Sequence, residues 1–120
     1  MDSNELKERT KQFALRVIKL VAALPDNNIG WVLGKQILKS GTSIGANYRE
    51  ALRASSRKHF ISITEIAVRE ADETLYWLEL LADSKVIPSD RLSDLINECD
   101  QLVAILTATI KTAKRNEETR

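Results

Sequence analysis

The sequence has few of the residues that interrupt or cross-link a chain. It contains only four glycines and two prolines in 120 residues, so few turns and strands are expected. The single cysteine, Cys99, excludes an internal disulfide and is typical of a reducing cytoplasm. The single histidine, His59, has no companion with which to hold a metal. No apolar run approaches the roughly 20 residues of a membrane span. We therefore expect a cytoplasmic protein with no cofactor and no membrane partner.

Hydrophobic periodicity is the main structural signal in what remains. Apolar residues make up 43% and charged residues 29% of the chain, a balance typical of a folded protein, and 1–120 is long enough for one domain with its own core. The apolar spacing predicts four helices, at about 4–23, 29–54, 57–84 and 90–115. Short connections between them favour antiparallel neighbours. The predicted fold is all-α, an up-down-up-down four-helix bundle.

The second helix contains the tetrapeptide Ser-Gly-Thr-Ser, a sequence that favours a break. However, the apolar phase of Ile29, Leu33 and Ile37 continues unchanged at Ile44 and Ala51. A loop would normally lose that register, so we predict one continuous helix.

Capping residues mark several of the predicted helix boundaries. Asp2, with Glu5 three residues later, resembles a capping box, and a serine in the Ala54-Ser-Ser turn is expected to cap the third helix. Ser89, directly after Pro88, is the predicted N-cap of the fourth helix.

Polar residues interrupt the inner faces of the second and third helices. A pocket for catalysis or a small ligand would explain them, and so would a hydrogen-bonded core network that fixes helix register. No general base, nucleophile pair or metal-ligand cluster accompanies the set, which favours the network and predicts that the protein is not an enzyme. The predicted buried polar network consists of Gln36, Ser40, Ser43, Asn47, Glu70 and Thr74.

The four glycines form one stripe along the second helix. Each costs roughly 0.5–1 kcal/mol relative to alanine, so another backbone should approach closely there. That backbone belongs either to a neighbouring helix of the bundle or to a second subunit. Apolar residues outside the inner stripe of the third helix favour the second subunit. The candidate oligomer interface consists of Gly30, Gly34, Gly41, Gly45, Tyr48, Ile66, Trp77 and Leu80.

Charge is distributed unevenly although the net charge is only +1. Residues 1–60 hold 11 Lys/Arg and 5 Asp/Glu, whereas residues 61–120 hold 7 and 12. In the predicted bundle, most of the cations gather at one end, where they could form a basic rim that meets phosphates or a solvated surface with salt bridges between subunits. That end lacks the interleaved aromatics of a base-stacking platform. The candidate nucleic-acid contacts are Arg49, Arg53, Arg57, Lys58, Lys111, Lys114 and Arg115.

A family likeness runs through the second and third helices. It is carried by Gln36-Ile, Lys39-Ser, Ser43-Ile, Ala46-Asn and Glu50-Ala, then by Ser56, Phe60, Ile66-Ala, Glu70, Glu73-Thr and Trp77-Leu. These residues resemble the bacterial four-helix-bundle proteins, also called the 23S rRNA intervening-sequence protein family. The resemblance implies the bundle, suggests a homopentamer and implies no established activity for most members. The family includes the accessory protein of diversity-generating retroelements, a basic pentameric ring that binds nucleic acid and a reverse transcriptase; this chain is nearly neutral by comparison.

Three functions remain open from the sequence. The first is a non-enzymatic, ring-forming interaction protein that serves as an accessory of a nucleoprotein complex. Its partners would be further copies of the same chain, RNA or DNA, and a nucleic-acid enzyme. The alternative is a structural or protein-binding adaptor with no nucleic-acid contact, whose charge polarity serves assembly. An enzyme that uses the region of Glu70 and Asn47 is the third and least favoured reading.

Overall fold

α-Helices account for nearly all of the structure. A computed structural model describes the backbone of residues 1–118 and the side chains of residues 1–116. No strand occurs in this range, and none of its helices is long and apolar enough to cross a membrane. The elements are α1 (Ser3–Ala22), α2 (Asn28–Ala51), α3 (Arg57–Asp83) and α4 (Ser93–Glu118), with a single 3₁₀ turn at Ser89–Arg91.

The helices pack as an antiparallel bundle 53 Å long and about 20 Å across (21 × 19 Å). α2 lies against α1 and α3, α3 lies against α4, and α1 touches α4 least. This order confirms the predicted all-α up-down-up-down bundle. The largest fully buried apolar side chains come from all four helices and form one continuous core: Phe13, Val17, Ile37, Ile44, Leu78, Leu81, Leu92, Leu102 and Leu106.

Side-chain caps begin the first three helices. The Asp2 carboxylate accepts a hydrogen bond from the Glu5 amide at 2.8 Å, and Asn27 caps α2 in the same way. The Ser56 hydroxyl accepts from the His59 amide at 3.1 Å. The predicted caps at Asp2 and in the serine turn are therefore confirmed. Each such cap satisfies an amide that has no partner inside its helix.

α2 passes through its Ser-Gly-Thr-Ser segment without a break, as predicted. The hydroxyls of Ser40, Thr42 and Ser43 each donate to the carbonyl oxygen four residues earlier, at 2.9, 2.7 and 2.6 Å. These bonds satisfy the hydroxyls inside the helix and leave the backbone ladder intact.

Three helix boundaries differ from their predictions. α2 ends at Ala51 and not near Ala54, because the amides of Arg53 and Ala54 bond three residues back, as in a 3₁₀ turn. α4 begins at Ser93, since the residues after Pro88 form the 3₁₀ turn before the α-helix starts. α4 also continues to Glu118, beyond the predicted end near Arg115. Residues 119–120 lie outside the described residues.

Candidate nucleic-acid interface

One end of the bundle brings together the start of α1, the end of α2, the start of α3 and the end of α4. An open groove of about 1020 Å³ lies there, and Met1, Leu52, Phe60 and Ala113 are among the residues that line it, one or more from each of these segments. We call this the basic end, because the predicted nucleic-acid contacts lie on it.

The seven candidate contacts are all accessible at the basic end. Arg57 is half-buried in the wall of the groove, and the other six are exposed. Lys114 lies 3.7 Å from the Glu65 carboxylate, which marks the edge between α4 and α3. An exposed pair at that distance contributes little to stability and holds the lysine weakly. The cations therefore remain available to an outside anion.

Arg9, in the first half of α1, is held in an intramolecular pair. Its guanidinium donates to both oxygens of Glu98, at 2.7 and 2.6 Å, and to Gln101 at 2.7 Å. The Glu98 hydrogen bond raises the pKa of Arg9 above its ordinary value. The pair joins α1 to α4, which make the least contact of the adjacent helices. Arg9 therefore links α1 to α4 and is not a free surface cation. Arg120, the last residue of the chain, lies outside the described residues.

A second cationic surface lies between α1 and α2, beside the basic end. Lys7, Lys11 and Arg49 line a groove of about 700 Å³. Of these, the sequence placed only Arg49 in the candidate site. The signal that could have identified the other two cations is the four-residue spacing of Lys7 and Lys11, which places them on one face of α1. That face lies opposite Gly45, and this glycine lets the two helices approach closely.

The predicted polar set does not form one buried network. Only Ser40 and Thr74 are buried, and their hydroxyls lie 2.8 Å apart across the α2–α3 interface. Gln36, Ser43, Asn47 and Glu70 are half-buried. The Ser43 hydroxyl donates to the Lys39 carbonyl and the Asn47 amide to the Ser43 carbonyl, so these two bond within α2 instead of reaching the Glu70 carboxylate. This local bonding takes the side chains of Ser43 and Asn47 out of the predicted network.

The glycine stripe faces α1 and not a second subunit. A β-carbon at Gly30 would overlap the Pro25 carbonyl oxygen, and one at Gly41 would lie 2.9 Å from the Val17 methyls. Gly34 and Gly45 face α1 in the same way. Tyr48 is also buried inside the chain, at 2% exposure. Packing within one chain therefore accounts for these five residues, because α1 and the loop after it already occupy the glycine face.

The other candidate interface residues remain on the surface. Ile66 is 37% exposed, and Trp77 and Leu80 are half-buried. The Trp77 indole donates to the Glu73 carboxylate at 3.3 Å and packs against the exposed Tyr76 ring, with the ring centroids 5.3 Å apart. These side chains stay accessible to a partner.

Cys99 and His59 are the single cysteine and the single histidine of the chain. Cys99 is buried, its thiol lies 3.2 Å from the Ala71 carbonyl oxygen, and burial raises its pKa to about 12. A thiol that stays protonated is a poor nucleophile. His59 is exposed at the start of α3. Within the described part of the chain, no group of three His, Cys, Asp or Glu side chains could hold a metal.

Fold and surface together define a class: an antiparallel four-helix bundle with a cationic end. The sequence pattern of the 23S rRNA-intervening sequence protein family matches residues 2–108, and the chain belongs to that family. A crystal structure of a protein of unknown function from the S23 ribosomal protein family of Bacteroides thetaiotaomicron is 42% identical, with a TM-score of 0.83. That similarity covers 88% of this chain and 98% of the other. No curated protein matches this chain.

Proposed function

We propose that this protein is a non-enzymatic, self-associating interaction protein, with a pentameric ring as its assembly, that binds nucleic acid through the basic end as an accessory of a nucleoprotein complex. The observation that carries this proposal is the separation of two surfaces along the bundle. Free cations occupy one end, and most exposed apolar side chains lie in the other half.

The exposed apolar side chains support self-association. Of nine large hydrophobic residues at least 37% exposed, seven lie on the parts of α1, α2 and α3 farther from the basic end. Where such side chains adjoin one another, they favour a protein–protein interface. These seven residues are Leu15, Ile18, Ile29, Trp31, Val32, Leu38 and Tyr76.

Side-by-side contacts through this apolar half would leave the basic ends free. In a closed ring with one kind of interface, all subunits point the same way. The basic ends would then form one rim, and their charges would add in the region that meets a phosphate backbone. Assembly would thus supply the positive potential that a nearly neutral single chain lacks.

Self-association is tested by multi-angle light scattering on an Ile29→Glu, Val32→Glu variant. Two buried carboxylates would disfavour the contact, so the variant is expected to have a lower mass than the native chain. The matched control, Asn97→Glu with Ala104→Glu, adds the same charge at exposed positions of α4 and should keep the native mass. A native chain that is monomeric at all concentrations would contradict the proposed assembly.

Nucleic-acid binding is tested by fluorescence anisotropy of labelled RNA and DNA at about 50 and 200 mM salt. The native protein should bind with an affinity that falls steeply as salt rises, because phosphate contacts release counterions. Arg53→Glu with Arg57→Glu should weaken the binding, because the two substitutions reverse two charges at the basic end. No binding of RNA or DNA at low salt would overturn the nucleic-acid part of the proposal.

The alternative function is a structural or protein-binding adaptor. Its supporting observation is the charge polarity, since a groove between α3 and α4 is lined by Glu79, Asp90 and Asp100 and could receive the basic end of another copy. Salt-sensitive self-association without nucleic-acid binding would favour this alternative.

A further inference from the structure

The groove between α1 and α2 has the form of a cationic channel. Lys7 and Lys11 lie on its α1 side, and Arg49 lies on its α2 side. Lys7 and Lys11 are one helical turn apart, about 6 Å along the axis, which is close to the step between neighbouring phosphates of a strand. The three cations therefore border a concave path and are not scattered over a convex surface.

Small residues make up part of the groove lining. Ala14 from α1 and Gly45 and Ala46 from α2 line it. A β-carbon at Gly45 would lie 3.1 Å from the Thr10 hydroxyl oxygen, so the two helices are close at this point. These small residues leave room for a ligand backbone to approach the cations on both sides of the groove.

The groove lining holds more cations than carboxylates. Glu8 is the one carboxylate in the lining, and it accepts a hydrogen bond from the Gln12 amide at 2.9 Å. Glu5 and Glu50 are absent from the lining. Three cations against one carboxylate leave a local excess of positive charge, and Arg49 can bind a phosphate in two-pronged fashion.

We propose that the α1–α2 groove, bordered by Lys7, Lys11 and Arg49, is the track along which the phosphodiester backbone of a nucleic acid lies. This assignment rests on the proposed nucleic-acid function and gives it a location. Recognition by phosphate contacts carries no base specificity, and the groove lining contains no aromatic side chain for base stacking. The ligand class is therefore a nucleic-acid strand bound largely without regard to sequence.

The test compares three triple variants by anisotropy with a short labelled RNA and the matching DNA. The groove variant is Lys7→Gln, Lys11→Gln, Arg49→Gln. The matched control is Arg16→Gln, Lys19→Gln, Lys35→Gln, which removes the same residue types from the same two helices, at exposed positions nearer the other end. The third variant is Lys58→Gln, Lys111→Gln, Lys114→Gln, on the α3–α4 edge of the basic end. Circular dichroism melts establish that each variant is folded.

The groove variant should bind at least tenfold more weakly, and its salt slope should fall by about 2–3. The control variant should keep the native affinity within about twofold. Native affinity in the groove variant, with binding lost in the α3–α4 variant, would overturn the groove assignment while leaving the proposed function intact. An equal loss in the groove and control variants would also overturn it, because only net charge would then matter. No binding by the native protein would overturn both.

Discussion

At Gly30 the first turn of α2 passes too close to the preceding loop for any side chain. A β-carbon there would overlap the Pro25 carbonyl oxygen. Gly30→Ala should therefore destabilise the protein by about 2–3 kcal/mol, although alanine favours a helix by roughly 1 kcal/mol over glycine. The free energy of unfolding in urea measures the change.

Gly34→Ala is the matched control for that substitution. A β-carbon at Gly34 would meet the side-chain ends of Leu24 at 3.1 Å and Val21 at 3.3 Å. Both neighbours are side chains that can shift by a few tenths of an ångström, so the change should stay within about 1 kcal/mol. Equal effects at the two positions would contradict the tight contact at Gly30.

Glu70 gives the protein a dependence on pH. Partial burial, then the neighbouring Glu73 carboxylate, raises the pKa of Glu70 above its ordinary value of 4.5, against the opposing effect of Lys39 and Arg69. The folded state thus holds this proton more tightly than the unfolded chain, and the stabilisation present below pH 4.5 is lost as pH rises through the raised pKa.

Glu70→Gln should therefore raise the melting temperature near pH 7. The advantage should disappear near pH 4, where the native glutamate is protonated in both states. Thermal melts of the two proteins across this range measure it. An advantage of the same size at pH 4 and pH 7 would contradict the pKa assignment.

Between elements, α2 and α3 share one buried polar contact, that of Ser40 with Thr74. Their hydroxyls lie 2.8 Å apart, and each also lies within 2.9 Å of a carbonyl oxygen of its own helix. The two hydroxyls have one proton each to donate across these three contacts, so at most two of the contacts are full hydrogen bonds at once. A double-mutant cycle with Ser40→Ala and Thr74→Val should give a coupling of about 0.5–1.5 kcal/mol.

The control for this cycle is Thr64→Val. Thr64 is equally buried, but its hydroxyl donates at 2.7 Å to Phe60 on its own helix. Its cycle with Ser40→Ala should show additive changes in the free energy of unfolding. A coupling as large as that with Thr74 would mean that the hydroxyl contact does not join the two helices.

A residue with a left-handed backbone conformation that is not glycine follows the C-terminal end of α3. Lys85 has φ 61°, and its amide bonds to the Ala82 carbonyl at 3.2 Å. Because glycine adopts this conformation without a β-carbon clash, Lys85→Gly should stabilise the protein by about 0.5–1 kcal/mol. Ser84→Gly, at a right-handed position one residue earlier, should destabilise it. Urea midpoints decide, and a loss of stability in Lys85→Gly would contradict the assignment.

Periodicity predicted the elements better than it predicted their neighbours. The continuous phase from Ile29 to Ala51 was sufficient to predict α2 through its serines and glycine, because helix register depends on the local chain. The glycine stripe was also recognised. Its angle on the helix could not show whether α1 or another subunit covers it, because that depends on how α2 folds back onto α1 after Pro25.

The start of α4 shows a second limit at this scale. Pro88 and Ser89 together have the composition of a helix start, and a helical turn does begin there. It is a 3₁₀ turn, with the Leu92 amide bonded to the Ser89 carbonyl at 3.1 Å. The choice between bonding three or four residues back depends on packing around the buried Leu92, which the local sequence does not specify.

In the molecule as a whole, charge and apolar exposure are separated along the 53 Å bundle. The sequence predicted the basic end, because antiparallel packing brings the start of α1, the end of α2, the start of α3 and the end of α4 to the same end of the bundle. It did not predict the α1–α2 groove, since that depends on the close approach of Gly45 to Thr10. It also did not predict that Arg9 pairs with Glu98, because these two residues are 89 positions apart in the chain.

The most direct test of the proposed function is the mass of the protein by size-exclusion chromatography with light scattering, with and without a short RNA at low salt. We expect a free assembly of several 13.5 kDa chains and a heavier species that contains both protein and RNA. A 13.5 kDa particle whose mass does not change when RNA is added would contradict both self-association and nucleic-acid binding.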